Sequence, residues 1–237
     1  MLAEEVANLF RKYTDESDTT FLSDADVALY LYLGYSDFRQ EIENIDSYAY
    51  KKTASYTTVN QELDLATVAA AIGPKIMGAS PTVADDKVKS ILRVYVTEAG
   101  QTDIQFFLTP VQNREALYSV PNDYLTKYCL EGTKLYLSNS PFSSPVAIDY
   151  QPITPTTVFT TTTIQPGQNQ YIDEFEAFHD LIALYAYEQY AIRDVADNPQ
   201  LTRRFVLRRQ MLRDFITRGR LERANRFVIS DDAYFVT

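Results

Sequence analysis

The stretch that decides the fold is Tyr171-Ile-Asp-Glu-Phe-Glu-Ala-Phe-His-Asp-Leu-Ile-Ala-Leu-Tyr-Ala186. Its apolar residues recur every three or four positions, which predicts an amphipathic helix that continues to about Ala196. A second helix is predicted from about Pro199 to near Ala224. Nine arginines lie between residues 203 and 226, in and just after this second helix, against only Asp214 and Glu222: Arg203, Arg204, Arg208, Arg209, Arg213, Arg218, Arg220, Arg223 and Arg226.

The positive helix stands out because the chain as a whole is acidic, with a formal net charge of −10 over 237 residues. An acidic protein repels the phosphates of nucleic acid over most of its surface. Positive charge concentrated in one helix favours docking of that helix against a negative surface. We expect that surface to belong to another protein or to a second copy of the chain.

The composition is that of a globular protein with few reactive side chains. Apolar residues make up 46% of the chain and charged residues 23%, so a sizeable core is expected. The chain has one cysteine, Cys129, one histidine, His179, and no glycine-rich phosphate loop. Neither a membrane span nor a signal peptide is predicted. We expect no cofactor, no metal ion and no enzymatic activity, and we expect Cys129 to be a small core residue.

The N-terminal fifty residues predict two helices. The first covers about residues 3–13, where apolar residues form one stripe. Ser23 is predicted to cap the second helix, because Asp26 follows three residues on and Leu22 and Val27 occupy the positions of a hydrophobic staple. Apolar residues then keep helical spacing to the end of this segment, which makes it the best-marked helix of the N-terminal part.

The middle of the chain predicts β-strands. Six runs rich in β-branched and aromatic residues fit strands: 90–97, 102–109, 123–130, 133–138, 146–150 and 156–164. The first two runs and the next two predict hairpins, since short turn segments separate them. Eight of the ten prolines lie between Pro81 and Pro166, as suits an antiparallel sheet with frequent turns. Residues 60–77 are ambiguous and include an alanine-rich stretch compatible with a short helix.

These patterns predict an α+β fold. Helices from both ends of the chain form a helical bundle, and an antiparallel β domain is inserted between them. The bundle is assigned to residues 1–50 and 167–226, the inserted β-rich domain to residues 51–166, and an extended C-terminal tail to residues 227–237.

Two groups of residues invite a chemical interpretation. His179 next to Asp180 is the one place where a histidine could act as a general base, but adjacent residues on a helix point in different directions. A histidine buried at a helix or subunit contact is the favoured interpretation. The acidic pairs at 85–86 and 231–232 could bind a hard cation, but they lack the spacing of a calcium loop. Solvated acidic turns are the favoured interpretation for both.

The arginine-rich helix allows three interpretations: a solvated face, a DNA-binding surface, or a surface that pairs with carboxylates of a neighbouring subunit or partner. DNA binding is disfavoured because the rest of the chain is acidic and no groove-reading motif accompanies the helix. Arginine without lysine favours the third interpretation, since the planar guanidinium binds carboxylates through two parallel hydrogen bonds. The residues predicted at an interface with a neighbouring subunit or partner are Arg203, Arg204, Arg208, Arg209 and Arg213.

The last eleven residues carry three aromatic residues in an apolar and polar alternation: Phe227, Tyr234 and Phe235. Chain ends are usually frayed. This pattern also suits a strand that adds to the edge of a partner's sheet. We expect these three residues to dock on a partner, so that deletion of residues 227–237 leaves folding intact and weakens binding to that partner.

The order of three segments resembles that in the head-to-tail adaptor (connector) proteins of tailed bacteriophages, in the form found in short-tailed phages. The first is Leu9-Phe-Arg-Lys-Tyr-Thr-Asp15, a polar loop and Phe21-Leu-Ser-Asp-Ala-Asp-Val27. The second is Thr133-Lys-Leu-Tyr-Leu-Ser-Asn-Ser-Pro-Phe-Ser-Ser-Pro-Val-Ala-Ile-Asp-Tyr150. The third is Phe175-Glu-Ala-Phe-His-Asp-Leu-Ile-Ala-Leu-Tyr-Ala186, followed by a closing helix.

The resemblance implies a structural virion protein at the head-to-tail interface, made in the cytoplasm of the bacterial host. Such proteins form a ring, usually of twelve copies, beneath the portal protein. The ring extends the DNA channel and docks the next tail or nozzle protein. Genomic DNA passes through the channel without sequence-specific binding, and no membrane is involved.

Two other hypotheses compete with the adaptor. In the first, the β insertion is a sandwich that binds carbohydrate or protein and is carried on a helical stalk. That hypothesis predicts tyrosines clustered on an exposed face. In the second, the protein is an enzyme that uses paired carboxylates in a deep pocket, as some glycosidases do.

Overall fold

A computed structural model describes most of the chain: residues 1–15, 22–56, 62–67, 74–77, 87–98, 101–117, 127–138, 145–194 and 198–231. For residues 97–98, 101–104, 194 and 220–231 it describes the backbone alone. The described helices are α1 (Ala3–Thr14), α2 (Asp24–Ile45), α3 (Asp180–Asp194) and α4 (Pro199–Asp231). The described strands are β1 (Lys52–Tyr56), β2 (Glu62–Asp64), β3 (Val88–Glu98), β4 (Gln101–Phe107), β5 (Thr109–Pro110), β6 (Lys127–Glu131), β7 (Lys134–Leu137) and β8 (Val146–Pro152). The predicted α+β class is confirmed.

The chain divides into two compact units. The helical unit comprises residues 1–49 and 154–237, and the β unit comprises residues 50–153. Both ends of the chain therefore contribute to the helical unit, and the β unit is the insertion between them.

The boundary after the β unit lies earlier than predicted. Residues 154–166 belong to the helical unit and form turns, so the strand expected over 156–164 is wrong. Hydroxyl groups explain the difference, because Thr163 Oγ1 donates to Val158 O at 2.8 Å and Thr160 N donates to Thr163 Oγ1 at 2.8 Å. These local hydrogen bonds occupy groups that a sheet would need.

Short hydrogen bonds join the two ends of the helical unit beside the start of α1. The amide of Ala3 donates to the carbonyl of Gln170 at 3.0 Å, and the amide of Gly167 donates to Glu4 Oε2 at 2.9 Å. The segment that makes these hydrogen bonds, residues 167–170, precedes α3 in the chain. The C-terminal helices lie against α1 and α2, as the sequence predicted.

The predicted cap of α2 is present. The amide of Asp26 donates to Ser23 Oγ at 3.2 Å, and the staple residues Leu22 and Val27 are both buried. A capped start and a buried staple fix where the helix begins. From there α2 runs through the middle of the helical unit and buries side chains along most of its length.

Gly34 marks the closest approach of α2 to α3. A Cβ atom at this position would lie 2.6 Å from the carbonyl oxygen of Ile182 and 2.7 Å from the amide nitrogen of Ala186. Both distances are shorter than any normal contact, and both atoms are backbone. Only glycine therefore allows the two helices to pack at this distance.

The last helix is longer than predicted. It continues to Asp231 rather than ending near Ala224, so residues 227–231 are helical and not extended. After Gly219 the sequence contains no glycine or proline to stop a helix, which accounts for the continuation. The rest of the predicted tail, residues 232–237, lies outside the described residues.

Two four-stranded sheets form the β unit, with strand orders β1-β8-β3-β4 and β2-β7-β6-β5. The predicted hairpins are present as the antiparallel pairs β3–β4 and β6–β7. The sequence predicted an antiparallel β domain. The structure differs at one place, because the two-residue strand β5 pairs with β6 in parallel. Of the ambiguous residues 60–77, residues 62–64 form strand β2, and no helix is present in the described part.

The two sheets share one core. Its largest buried side chains come from strands of both sheets and from the segments that follow them: Tyr56, Leu65, Ile76, Leu135 and Ile148. Cys129 is buried in a smaller neighbouring cluster with Leu117 and Tyr136, as its predicted role as a core residue requires.

Candidate functional site

The arginines of α4 flank a narrow apolar stripe. Phe205, Leu212 and Ile216 are buried and face the rest of the helical unit. At about 100° per residue, Arg204 and Arg208 lie on one side of this stripe, and Arg209 and Arg213 lie on the other side. Each flank thus carries two arginines four residues apart, on the same face of the helix.

The first flank binds Asp180 at the start of α3. Arg208 Nε donates to Asp180 Oδ2 at 2.9 Å, and Arg208 Nη2 donates to Oδ1 of the same carboxylate at 2.5 Å. Arg204 Nη2 adds a third contact at 3.3 Å. Both guanidinium groups also lie over aromatic rings, Arg208 over Phe178 and Arg204 over Tyr13, at 5.1 and 5.7 Å from the ring centroids. This flank therefore fastens α4 to the start of α3.

The second flank binds Glu41 of α2, a carboxylate that is itself buried. Arg209 Nη2 donates to Glu41 Oε2 at 2.6 Å, and Arg213 Nε donates to the other oxygen. Burial alone would raise the pKa of Glu41, but the hydrogen bonds from Arg209 and Arg213 outweigh it and lower the pKa below its ordinary value. The same contact raises the pKa of Arg209.

The structure thus gives four of the five predicted interface arginines a partner within their own chain. The sequence predicted that these arginines bind carboxylates of a neighbouring subunit or partner. Their partners in the structure are Asp180 and Glu41 of the same molecule. Arg203, the fifth, is exposed and has no salt bridge among the described residues. A contact of this helix with a subunit or a portal stays a prediction.

An exposed apolar row on α4 was not found by sequence reasoning. Leu207, Met211 and Phe215 are exposed, lie four residues apart and form one row along the helix. Ile216 occupies the buried face of the helix, and its neighbour Phe215 contacts the ring of Phe178, at 5.4 Å between centroids. We call Leu207, Met211 and Phe215 the outer row of α4. Their four-residue spacing was the signal in the sequence that could have revealed it.

His179 has a structural role. Its ring is fully buried, with Nε2 at 2.7 Å from Asp173 Oδ1 and Nδ1 at 3.1 Å from the carbonyl oxygen of Met1. The carboxylate that holds it is Asp173, whereas the adjacent Asp180 binds arginines. Protein groups occupy both ring nitrogens, so the ring fixes the N-terminal residues against the start of α3. The favoured interpretation, a histidine buried at a helix contact, is confirmed.

The structure describes only part of the remaining predicted groups. The pair at 85–86 lies outside the described residues, as do Asp232 and the predicted docking residues Tyr234 and Phe235. Phe227 lies in the final turns of α4. Among the residues whose placement is described, no three histidine, cysteine or acidic side chains are grouped so that they could hold a metal ion.

The β unit carries a second exposed surface that the sequence did not indicate. Phe106 and Phe107 of β4, an edge strand, are both exposed. The guanidinium of Arg93 lies 5.3 Å from the centroid of the Phe107 ring and donates to the buried carboxylate of Asp149 at 3.1 Å. Lys51 also binds Asp149. Successive residues of a strand point to opposite faces, so Phe107 lies on the face that carries Arg93 and Lys51, and Phe106 lies on the other face. This surface therefore combines one aromatic ring with two partly exposed cations.

A comparison with protein-family models gives no match, and a comparison with curated proteins gives none either. Within the described part of the chain, no helix has the length and apolar character needed to cross a membrane. The function is therefore argued from the surfaces described above and from the resemblance in the sequence.

Proposed function

We propose that this chain is a head-to-tail adaptor, a structural virion protein that forms a ring beneath the portal protein. The observation that carries the proposal is the outer row of α4. After four arginines have bound the chain's own carboxylates, the helix still presents exposed apolar residues, with Arg203 and Arg218 exposed beside them. Such a surface is suited to a protein partner, because apolar side chains and arginines are enriched where interfaces form.

The distribution of charge supports contacts between copies. Helix α4 contains nine arginines and three acidic residues, Asp214, Glu222 and Asp231, so its net charge is +6 and the rest of the chain has −16. A ring uses heterologous contacts, in which one face of each subunit meets a different face of the next. A positive helix on an acidic protein fits that requirement.

In this proposal the excess of negative charge lets genomic DNA pass through the channel without binding to the wall. The protein acts in the virion, between the portal and the tail or nozzle protein, and is made in the cytoplasm of the bacterial host. It has no enzymatic activity in this role. The burial of His179 and the structural use of both its ring nitrogens support that part of the proposal.

The proposal is tested by the mass and shape of the purified protein, alone and mixed with its portal protein. We expect closed rings, of about twelve copies, on the portal. A chain that binds no portal and forms no closed ring in either condition contradicts the proposal.

A truncation tests the proposed docking of the tail. Because residues 227–231 complete α4, removing residues 232–237 spares the helix and is a cleaner test than removal from Phe227. We expect unchanged folding and weaker binding to the portal in a pull-down. Unchanged binding contradicts the docking role of Tyr234 and Phe235.

One observation favours the competing binding module. Phe107 is exposed on an edge strand, where its ring could stack on a sugar and the strand edge could accept a peptide. Its expected tyrosine cluster is not found among the described residues of the β unit: Tyr56, Tyr95, Tyr136 and Tyr150 are buried, and Tyr50 and Tyr128 are half-buried. Binding of the isolated chain to a glycan array, lost on Phe107→Ala, would favour the binding module over the adaptor.

A further inference from the structure

The outer face of α2 is chemically complementary to the outer row of α4. Leu29 and Leu33 are one turn apart on the side of α2 that points away from its core, and both are exposed, Leu29 at 54%. Asp26 and Asp37 lie at the two ends of this pair. Both are half-buried, and each accepts a hydrogen bond, Asp26 from Ser23 Oγ and Asp37 from Gln189 Nε2 of α3. Neither of these carboxylates has a salt bridge among the residues the structure describes. We call these four residues the acidic face of α2.

The outer row of α4 has the opposite charge at its ends. Arg203 lies one turn before Leu207, and Arg218 lies one turn after Phe215. Both arginines are exposed, and neither has a salt bridge in the described part of the chain. Both surfaces therefore have an apolar centre with a charged residue at each end. The charges are negative on α2 and positive on α4.

The lengths of the two surfaces are compatible. Asp26 and Asp37 are separated by about 16 Å along α2, and Arg203 and Arg218 by about 22 Å along α4, at 1.5 Å per residue. Arginine side chains are long and flexible enough to lean inward over apolar neighbours while their charged ends reach a carboxylate. Contact between the two surfaces would bury the exposed leucines of α2 on one side, and the exposed leucine, methionine and phenylalanine of α4 on the other.

The two surfaces cannot meet within one molecule. The outer row lies on the flank of α4 that carries Arg204 and Arg208, where Phe215 touches Phe178 and Arg208 binds Asp180. The opposite flank of α4 faces α2, through Glu41. The acidic face of α2 in turn points away from the core of the helical unit. Contact between these surfaces therefore requires a second copy of the chain.

We infer that the outer row of α4 in one copy binds the acidic face of α2 in the next copy, and that this contact joins neighbouring subunits. The inference rests on the self-association that the proposed function requires, and it names the two faces that meet. The contact is heterologous, so a linked pair keeps one free face of each kind and can bind a further copy at either end.

Paired cysteines test which faces meet. Leu33→Cys with Leu207→Cys places one thiol on each proposed face, and a short bismaleimide links thiols that come together between copies. The matched control is Leu33→Cys with Val206→Cys. Val206 is as exposed as Leu207, at 63%, but points about 100° away around the helix. The native Cys129 is buried and stays in place in both variants.

We expect a ladder of linked dimers and larger species from the Leu207 pair, and many-fold fewer from the Val206 pair. Equal linking of both pairs overturns the inference, and so does self-association without links, or a chain that stays monomeric at its highest soluble concentration. Electron microscopy of the assembled species tests the proposed function separately. Closed rings without links overturn the inference alone, whereas linked open filaments overturn the ring and leave the contact standing.

Discussion

The contact between α2 and α3 differs in kind from the contact that holds α4. At Gly34 the backbones of α2 and α3 touch, with the fully buried side chains of Phe38 and Leu181 nearby. Helix α4 instead buries a narrow stripe and is fastened by charge pairs on both flanks. Close packing tolerates almost no change in volume, whereas partly exposed charge pairs tolerate small movements. The first contact therefore defines the fold, and the second leaves a surface available for association.

The largest effect is expected at the α2–α3 contact. Gly34→Ala places a methyl group against the backbone of Ile182 and Ala186, which can move only if the two helices separate. Overpacking of this kind costs about 3 kcal/mol, and more where the neighbours are backbone atoms. We expect the free energy of unfolding to fall by at least that amount. Urea denaturation monitored by circular dichroism measures this change.

Gly219→Ala is the matched control, since Gly219 lies in α4 and a Cβ there would have no atom within 4 Å. Alanine is the better helix former by about 1 kcal/mol, so this variant should be slightly more stable than the native chain. If both substitutions had the same sign, the close approach of the helices at Gly34 would be refuted.

Loss of a charge pair should have a smaller effect. Asp180→Asn removes the negative charge that receives Arg204 and Arg208 and leaves both guanidinium groups without their counterion. We expect a loss of about 1–3 kcal/mol in the free energy of unfolding. Asp214→Asn, an exposed carboxylate on α4, is the control and should stay within about 0.5 kcal/mol of the native chain. Equal losses in the two variants would contradict the fastening role of Asp180.

The fold was predictable where the signal is local. The cap at Ser23 and the helical spacing after it lie within a few residues of each other, so the start of α2 follows from the sequence. The wrong prediction of a strand over residues 156–164 also came from a local signal, the run of threonines. Threonine has a high β propensity, but the hydroxyls of Thr160 and Thr163 bond to their own backbone and form turns.

The candidate site was only half predictable. The four-residue spacing of Arg204 with Arg208, and of Arg209 with Arg213, is visible in the sequence and places the members of each pair on one face of a helix. The partners are not visible, because Glu41 is separated from Arg209 by most of the chain and meets it only in the folded unit. The sequence analysis assigned the carboxylates to a neighbouring subunit or partner, whereas the described partners of four of these arginines are carboxylates of the same molecule.

Acid should weaken the second flank in a defined range of pH. The folded-state pKa of Glu41 is lower than its unfolded value, so the pair contributes stability above the unfolded pKa of about 4.3 and loses it as the pH falls through the folded pKa. Glu41→Gln removes this contribution. The difference in unfolding free energy between native and variant chains should be constant from neutral pH to about pH 5 and shrink below it. A difference that is independent of pH down to pH 3 would contradict the lowered pKa.

The smallest effect on stability separates the two uses of arginine on α4. Arg208 binds Asp180 through two nitrogens and lies on the ring of Phe178, so Arg208→Ala should cost about 1–2 kcal/mol of unfolding free energy. Arg203 is exposed, and Arg203→Ala should change stability by less than about 0.5 kcal/mol. For self-association we expect the larger effect from Arg203→Ala, because Arg203 faces the carboxylates of the next copy in the proposed interface. Sedimentation at low and moderate salt should show weaker self-association for Arg203→Ala and a smaller dependence on salt than in the native chain. If Arg203→Ala associates like the native chain at every salt concentration, Arg203 takes no part in self-association.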